Sequence, residues 1–156
     1  MSNHVIVKDK VSRFSTSLFD TVQIDSDGDL KIPFGSTIVY ISVIERYTEA
    51  DEIEFAEKFG LSTTVVHIWA PVLVGLKPTA EMFKWVATEG QGFFYGSFML
   101  REIEDGTFHL IFQMGLPGDE LDQGELNAAL IAVSSTADGN DEDLKKQFGG
   151  KRIQDL

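Results

Sequence analysis

The densest run of chemistry-bearing residues is Asp25-Ser26-Asp27-Gly28-Asp29. Alternating carboxylates on a glycine-bearing loop suit calcium, because a hard cation prefers oxygen ligands. An EF-hand loop, however, puts its glycine sixth and a glutamate twelfth. Here Gly28 stands fourth and Lys31 follows closely. A hairpin turn accounts for every residue, and no metal is expected. The three histidines, His4, His67 and His109, offer the other metal reading. His67 and His109 fall in predicted strands that sheet pairing can bring together. Two imidazoles still lack the third ligand and the open position of a catalytic zinc, and no HExxH spacing occurs.

Nucleophilic catalysis finds no better footing. There is no Gly-x-Ser-x-Gly elbow. Gly35-Ser36-Thr37 and Gly96-Ser97-Phe98 read as strand starts, and Ser134-Ser135-Thr136 lies near a helix end, where hydroxyls bond back to the backbone. Gly90-Gln91-Gly92 follows a helix instead of opening one, so it lacks the helix N-terminus that holds phosphate. The chain has no cysteine, which removes thiolate nucleophiles, disulfides and cysteine metal sites. No catalytic residue and no cofactor are assigned, and the expectation is a protein that is not an enzyme.

What remains is aromatic. Phenylalanine occurs 12 times, beside Trp69, Trp85, Tyr40, Tyr47 and Tyr95. Most of these must be core. Phe108, Leu110, Phe112 and Met114 alternate with His109, Ile111 and Gln113, and Val65, His67 and Trp69 alternate with Val66, Ile68 and Ala70. If the apolar sets meet helices, then His67, Trp69, His109, Ile111 and Gln113 line a second sheet face. That face is too apolar to be merely solvated. It suits a bound peptide or a dimer contact. The alternative is a further helix covering it, since sheets in larger domains are often buried on both sides.

The elements that must position this face follow from periodicity. Val11, Phe14 and Leu18 predict a short helix over Lys10 to Phe19. From Thr21 the period becomes two, and Ser26-Asp27-Gly28-Asp29 turns one strand into the next, which carries Leu30, Ile32 and Phe34. Thr37 to Ile44 reads as a buried strand. Residues 45–63 form an acidic insertion, either a loop or a short helix from Thr48-Glu49-Ala50-Asp51 to Phe59, ended by Gly60, with Ile53, Ala56 and Phe59 on one face. Val65 to Leu73 is again a strand. Pro78-Thr79 opens a helix with an apolar stripe of Met82, Phe83, Val86 and Ala87. Phe93 to Ile103 and Thr107 to Gly115 make a hairpin about Glu104-Asp105-Gly106. The last helix starts at Asp122, with Glu125 closing a capping box. Its core face is Leu126, Leu130 and Val133, and Asp138-Gly139-Asn140-Asp141 is expected to interrupt it. Strands joined by short turns pair antiparallel. The fold class is therefore α+β, a two-layer sandwich of a curved antiparallel sheet with flanking helices.

Size and charge bound the partners. The 156 residues, 43% hydrophobic and 24% charged, fit one globular domain over 1–156 with its core at 18–150. A net charge of -12 repels phosphate backbones and anionic lipid, so neither nucleic acid nor membrane is an expected partner. His4, Lys8, Lys10 and Arg13 are followed by no apolar run of the secretory kind. The expected location is cytoplasmic.

These segments resemble the YbjN-like group, related to the chaperones of type III secretion. The resemblance rests on Asp25 to Ile32 (DSDGDLKI), Gly35 to Val43 (GSTIVYISV), Val65 to Val72 (VVHIWAPV), Phe94 to Leu100 (FYGSFML) and the helix at Leu121 to Ala137. Their order and spacing, over Val22 to Gly150, carry it. The resemblance implies a non-catalytic, chaperone-like or adaptor protein that binds a protein or peptide client, commonly as a homodimer. It transfers no functional residue. A small-molecule-binding protein or enzyme with a site invisible in sequence, and a purely regulatory homodimer, are the alternatives.

Overall fold

Thr37, Val39, Ile41 and Val43 point one way along their strand and Ile38, Tyr40, Ser42 and Ile44 the other, the first set buried and the second partly or fully exposed. This alternation repeats across the sheet and divides the molecule into a covered side and an open side. The computed structural model describes residues 2–156. Its helices are α1 (Asn3–Leu18), α2 (Ala50–Phe59), α3 (Ala80–Ala87) and α4 (Gln123–Phe148), and its strands are β1 (Gln23–Ile24), β2 (Leu30–Phe34), β3 (Thr37–Glu45), β4 (Thr64–Leu76), β5 (Ser97–Glu102) and β6 (Phe108–Pro117). The six strands form one sheet in the order β1-β2-β3-β4-β6-β5, antiparallel throughout. The 13-residue β4 lies between β3 and β6, and its register against β6 shifts between Pro71 and Leu73 and again before Leu76. Such bulges bend a strand and raise its twist, which curves the sheet.

The covered side carries the core. Val7 and Val11 of α1, Met82 of α3 and Leu126, Leu130, Val133, Ala137 and Leu144 of α4 pack on Ile32, Val39, Ile41, Val66, Ile68, Ala70, Leu110 and Phe112. The core therefore extends into α1, ahead of residue 18. An aromatic knot fills the β5–β6 end, with Phe98 within 5.0 Å of Trp85, 4.9 Å of Phe112 and 5.3 Å of Phe93, centroid to centroid.

Most predicted elements are present, with informative departures. α1 starts seven residues before the predicted Lys10, at Asn3. The acidic insertion is helical, but only Ala56 of α2 is buried, while Phe59 is exposed. In α3 the buried stripe runs through Met82 with Trp85 and Val86 packed beside it, whereas Phe83 is exposed and meets Phe108 edge-on at 5.5 Å. β5 begins only at Ser97, leaving Phe94 and Tyr95 in solvent.

The predicted break at Asp138–Asp141 does not occur. α4 runs unbroken for 26 residues. A glycine inside a helix costs about 1 kcal/mol relative to alanine, and partners offset it here. The Ser36 amide donates to the Asp138 carboxylate at 2.7 Å, and the single proton of the Ser36 hydroxyl lies between the carboxylates of Asp138 and the buried Asp141. Asn140 Nδ2 donates to the Thr136 carbonyl at 2.7 Å. The β2–β3 turn is thereby latched to the middle of α4. Gly35 in that turn has φ 52°, and a side chain there would strike Asp138.

The loop ends are tied in the same manner. Asp119 accepts from the Thr63 amide (2.8 Å) and hydroxyl (2.9 Å) and from the Thr64 amide (3.1 Å) and hydroxyl (2.6 Å). Burial pushes its carboxyl up, but the Thr64 and Thr63 hydrogen bonds together hold it below the usual range. The capping box at α4 forms as expected, with the Glu125 amide donating to Asp122 at 2.8 Å and the Asp122 amide to Glu125 at 3.1 Å.

Candidate functional site

Among the described residues no α-helix lies over the second side of the sheet; only the short 3-10 turn Ile153–Asp155 reaches it. The register sets its side chains in rows that cross the strands. Lys31, Tyr40, Trp69, Gln113 and Ser97 form one row from β2 to β5. Ser42, His67 and Gly115 form the next on one side, and Pro71, Ile111 and Met99 the next on the other. His109 and Arg101 pair beyond these.

Within the rows the contacts are specific. Trp69 stacks on Tyr40 with ring centroids 4.3 Å apart and planes 11° from parallel. Arg101 brings its guanidinium carbon to 5.0 Å from the Trp69 ring, and Lys31 its ammonium to 5.6 Å from the Tyr40 ring. Each aromatic face thus meets a cation, an attraction of the ring quadrupole for positive charge. The His67 ring nitrogen Nε2 lies 2.8 Å from Gln113 Oε1, which accepts its proton. Burial, and then the charge of Arg101, push the His109 imidazole below its ordinary range, with Asp105 opposing.

A groove of about 570 Å³ opens at the Trp69 end, between Tyr40, Trp69, Pro71, Arg101, His109 and Ile153. Ile153 belongs to a short 3-10 turn, Ile153–Asp155, that carries the C-terminal residues round to this side. Paired backbone bonds between Val74 and Lys151, at 2.8 and 2.9 Å, hold that segment to β4. Asp155 fastens the turn with hydrogen bonds from Arg152 and Lys145, which keep its carboxyl well below the usual carboxylate range. A second hollow, about 420 Å³, lies at the opposite end between Tyr47, Leu61, Val65 and Pro117.

The residues singled out from the sequence do share this side, but not equally. His67, Trp69 and Gln113 cluster at its centre, and His109 stands at the Arg101 wall. Ile111 is 1% exposed, so it floors the face and presents nothing to a partner. Sequence reasoning missed Tyr40, Lys31 and Arg101. Tyr40 was visible as the polar-tipped alternate of Val39 and Ile41; its place against Trp69 depends on register, which no local pattern shows.

The remaining candidates have structural roles. His4 Nε2 bonds the Val43 carbonyl at 2.9 Å. Asp25 Oδ1 accepts from the amides of Asp27 (2.9 Å) and Asp29 (3.0 Å), and Asp29 accepts from the Ser42 hydroxyl at 2.7 Å, so these carboxylates shape the hairpin turn. Gln91 of the Gly90-Gln91-Gly92 run donates to the carbonyls of Val86 and Phe98, each at 3.0 Å.

β5 is one free edge of the sheet. Because the Phe98 carbonyl takes Gln91, that residue's backbone points away from β6, and alternation sends Leu100 and Glu102 the same way. The opposite edge, β1, has only two residues.

An antiparallel sheet with its helices on one side, and an aromatic, imidazole-bearing face left open on the other, defines a two-layer α+β protein with a sheet surface available for contact. The chain belongs to the TY-Chap1 family, described as T3SS (YopN, CesT) and YbjN peptide-binding chaperone 1, whose profile matches residues 5–156. No curated protein matches the chain. Among the described residues no helix is long and apolar enough to cross a membrane.

Proposed function

We propose that this protein is a non-catalytic chaperone or adaptor that holds an extended segment of a client protein across the open sheet face. One observation carries the reading. The central rows of that face are built from Tyr40, Trp69, His67 and Gln113, half-buried, and no helix packs on them. Aromatic rings with few rotatable bonds offer large contact area at low entropic cost, and amide and imidazole groups adapt their hydrogen bonds to a main chain. The family's peptide-binding character supports the same reading. The face is favoured over the β5 edge because Gln91 already occupies one outward carbonyl there.

The test uses Trp85→Phe, which leaves Trp69 as the sole tryptophan. Client proteins captured from native lysate are identified by mass, and the captured segment is titrated with emission and anisotropy read together. Saturable change in Trp69 emission, with affinity lost at least tenfold in Tyr40→Ala, places the client on this face. Anisotropy that saturates while Trp69 emission stays constant moves the client elsewhere. Sedimentation of the free protein addresses the homodimer: concentration-dependent mass that is lost on Tyr40→Ala assigns the face to a second copy by an isologous contact.

A further inference from the structure

We propose that the Trp69 end of the open face selects client segments carrying an aspartate or glutamate next to a bulky apolar side chain. This rests on the reading of the face as a peptide-binding surface and names the chemistry it prefers.

The charge distribution points there. The whole chain has 25 acidic and 13 basic residues. Yet strands β2 to β6 turn no carboxylate of their own toward this side: Glu45 pairs with the buried Thr64, and Glu102 alternates away from Arg101, while the groove does include Asp105 of the β5–β6 turn. What they present instead is Arg101 with His67 and His109. Arg101 has no carboxylate within ion-pairing distance among the described residues; the six ion pairs there involve other cations. Asp105 lines the groove as well, its carboxylate accepting from the Thr107 amide at 2.9 Å and hydroxyl at 2.6 Å. A guanidinium without a carboxylate partner, in a chain this acidic, is complementary to a carboxylate from outside.

Geometry adds the second half. The Arg101 guanidinium carbon lies 5.0 Å from the Trp69 ring centroid, a cation–π contact, and its forked N–H groups match a carboxylate in bidentate fashion. Beside it the groove of about 570 Å³ is walled by Tyr40, Pro71, Val74 and Ile153, which favour an apolar side chain. A neighbouring pair of residues on an extended segment fits both: one carboxylate on Arg101, one apolar group in the groove. A basic segment would meet Arg101 with like charge.

A displayed library of short random peptides is panned against the full chain at low salt, in wild type and in Arg101→Glu. Arg101 is exposed, and circular dichroism checks that the variant folds. Wild type is expected to enrich Asp or Glu adjacent to Leu, Ile, Phe or Trp, and Arg101→Glu to exchange the acid for Lys or Arg. A selected peptide should lose about tenfold in affinity when its acid is changed to the amide, the scale of one charge-assisted pair. Peptides without acidic enrichment, or the same composition from both proteins, overturn the charge preference while leaving peptide binding intact. No peptide selected by either protein overturns the binding reading and this inference together.

Discussion

The two tryptophans sit on opposite sides of one sheet and live by different rules. Trp85 meets Phe98 at 5.0 Å and Phe148 at 5.8 Å, edge-on, within a layer sealed by α3, α4 and the strands. Trp69 meets Tyr40 face to face and Arg101 over its ring, with no α-helix beyond among the described residues. Both are half-buried, so exposure alone does not separate them. The partners separate them. On the covered side each aromatic is locked by others that exist to fill volume. On the open side each is paired with a group that water or another chain can replace. A sheet can thus spend one side on stability and keep the other for contact, because alternation makes the two sides independent choices.

The strongest way to break this comparison is to remove volume from the covered side. Phe112→Ala deletes a fully buried ring that touches Phe98 and Phe93. Such changes cost about 3–5 kcal/mol, which at roughly 2–4 °C per kcal/mol lowers the melting temperature by about 6–20 °C. A loss under about 1 kcal/mol in urea unfolding would show that the covered side is no more committed to stability than the open one.

Next is the latch between Ser36 and α4. Ser36→Ala removes the hydroxyl that serves Asp138 and Asp141, and an unmet buried acceptor costs about 1–3 kcal/mol. Its pH dependence is distinctive. The Ser36 amide and hydroxyl hold the folded Asp138 carboxyl below its ordinary range. A depressed folded value means stability that is present above the unfolded aspartate value, about 3.9, and is lost as pH falls through the folded one. Wild type should therefore weaken below about pH 4, and Asp138→Asn should make that acid limb shallower in urea titrations, the contributions of Asp119 and Asp155 remaining.

How much of this was legible follows from where each partner lies. The strands, the Asp-Gly turn and the α4 capping box depend on neighbours within a few residues, and each was readable. The interruption expected at Gly139 was wrong because the stabilising partner, Ser36, lies 102 residues away from Asp138. Likewise, alternation identified His67, Trp69, His109, Ile111 and Gln113 as sharing a side, which they do. It did not show that Ile111 would be sealed beneath its neighbours, nor that Tyr40 and Arg101 would bracket Trp69. Those facts belong to register and to side-chain length across strands. Whether any helix would cover the face was equally illegible, since that depends on how four helices divide between two sides.

Trp69→Ala sharpens the comparison with a smaller effect on stability and a larger one on binding. An aromatic pair contributes about 0.5–1.5 kcal/mol beyond its area, so unfolding should lose well under half of what Phe112→Ala loses. Client affinity should fall at least tenfold. A collapse of stability comparable to Phe112→Ala would make Trp69 a core residue and remove it from the contact surface.

The smallest effect is the most discriminating about what an exposed apolar residue means. α2 shows Phe55 at 52% and Phe59 at 58% exposure, with the two rings 4.8 Å apart, and only Ala56 faces inward. Judged by hydrophobicity alone, this pair has the stronger claim to be an interface. Unlike Tyr40 and Trp69, though, the rings rest on each other and on a helix to which no strand is firmly packed, with no register of polar groups to meet a main chain. Phe55→Gln and Phe59→Gln should each change unfolding free energy by no more than about 0.5 kcal/mol, and should leave the affinity of any client held at Trp69 unchanged. A client lost from the α2 variants but retained by Tyr40→Ala would reverse the assignment. It would mean that this protein contacts its client through the exposed side of α2, and that the open sheet face is available for another copy of the chain.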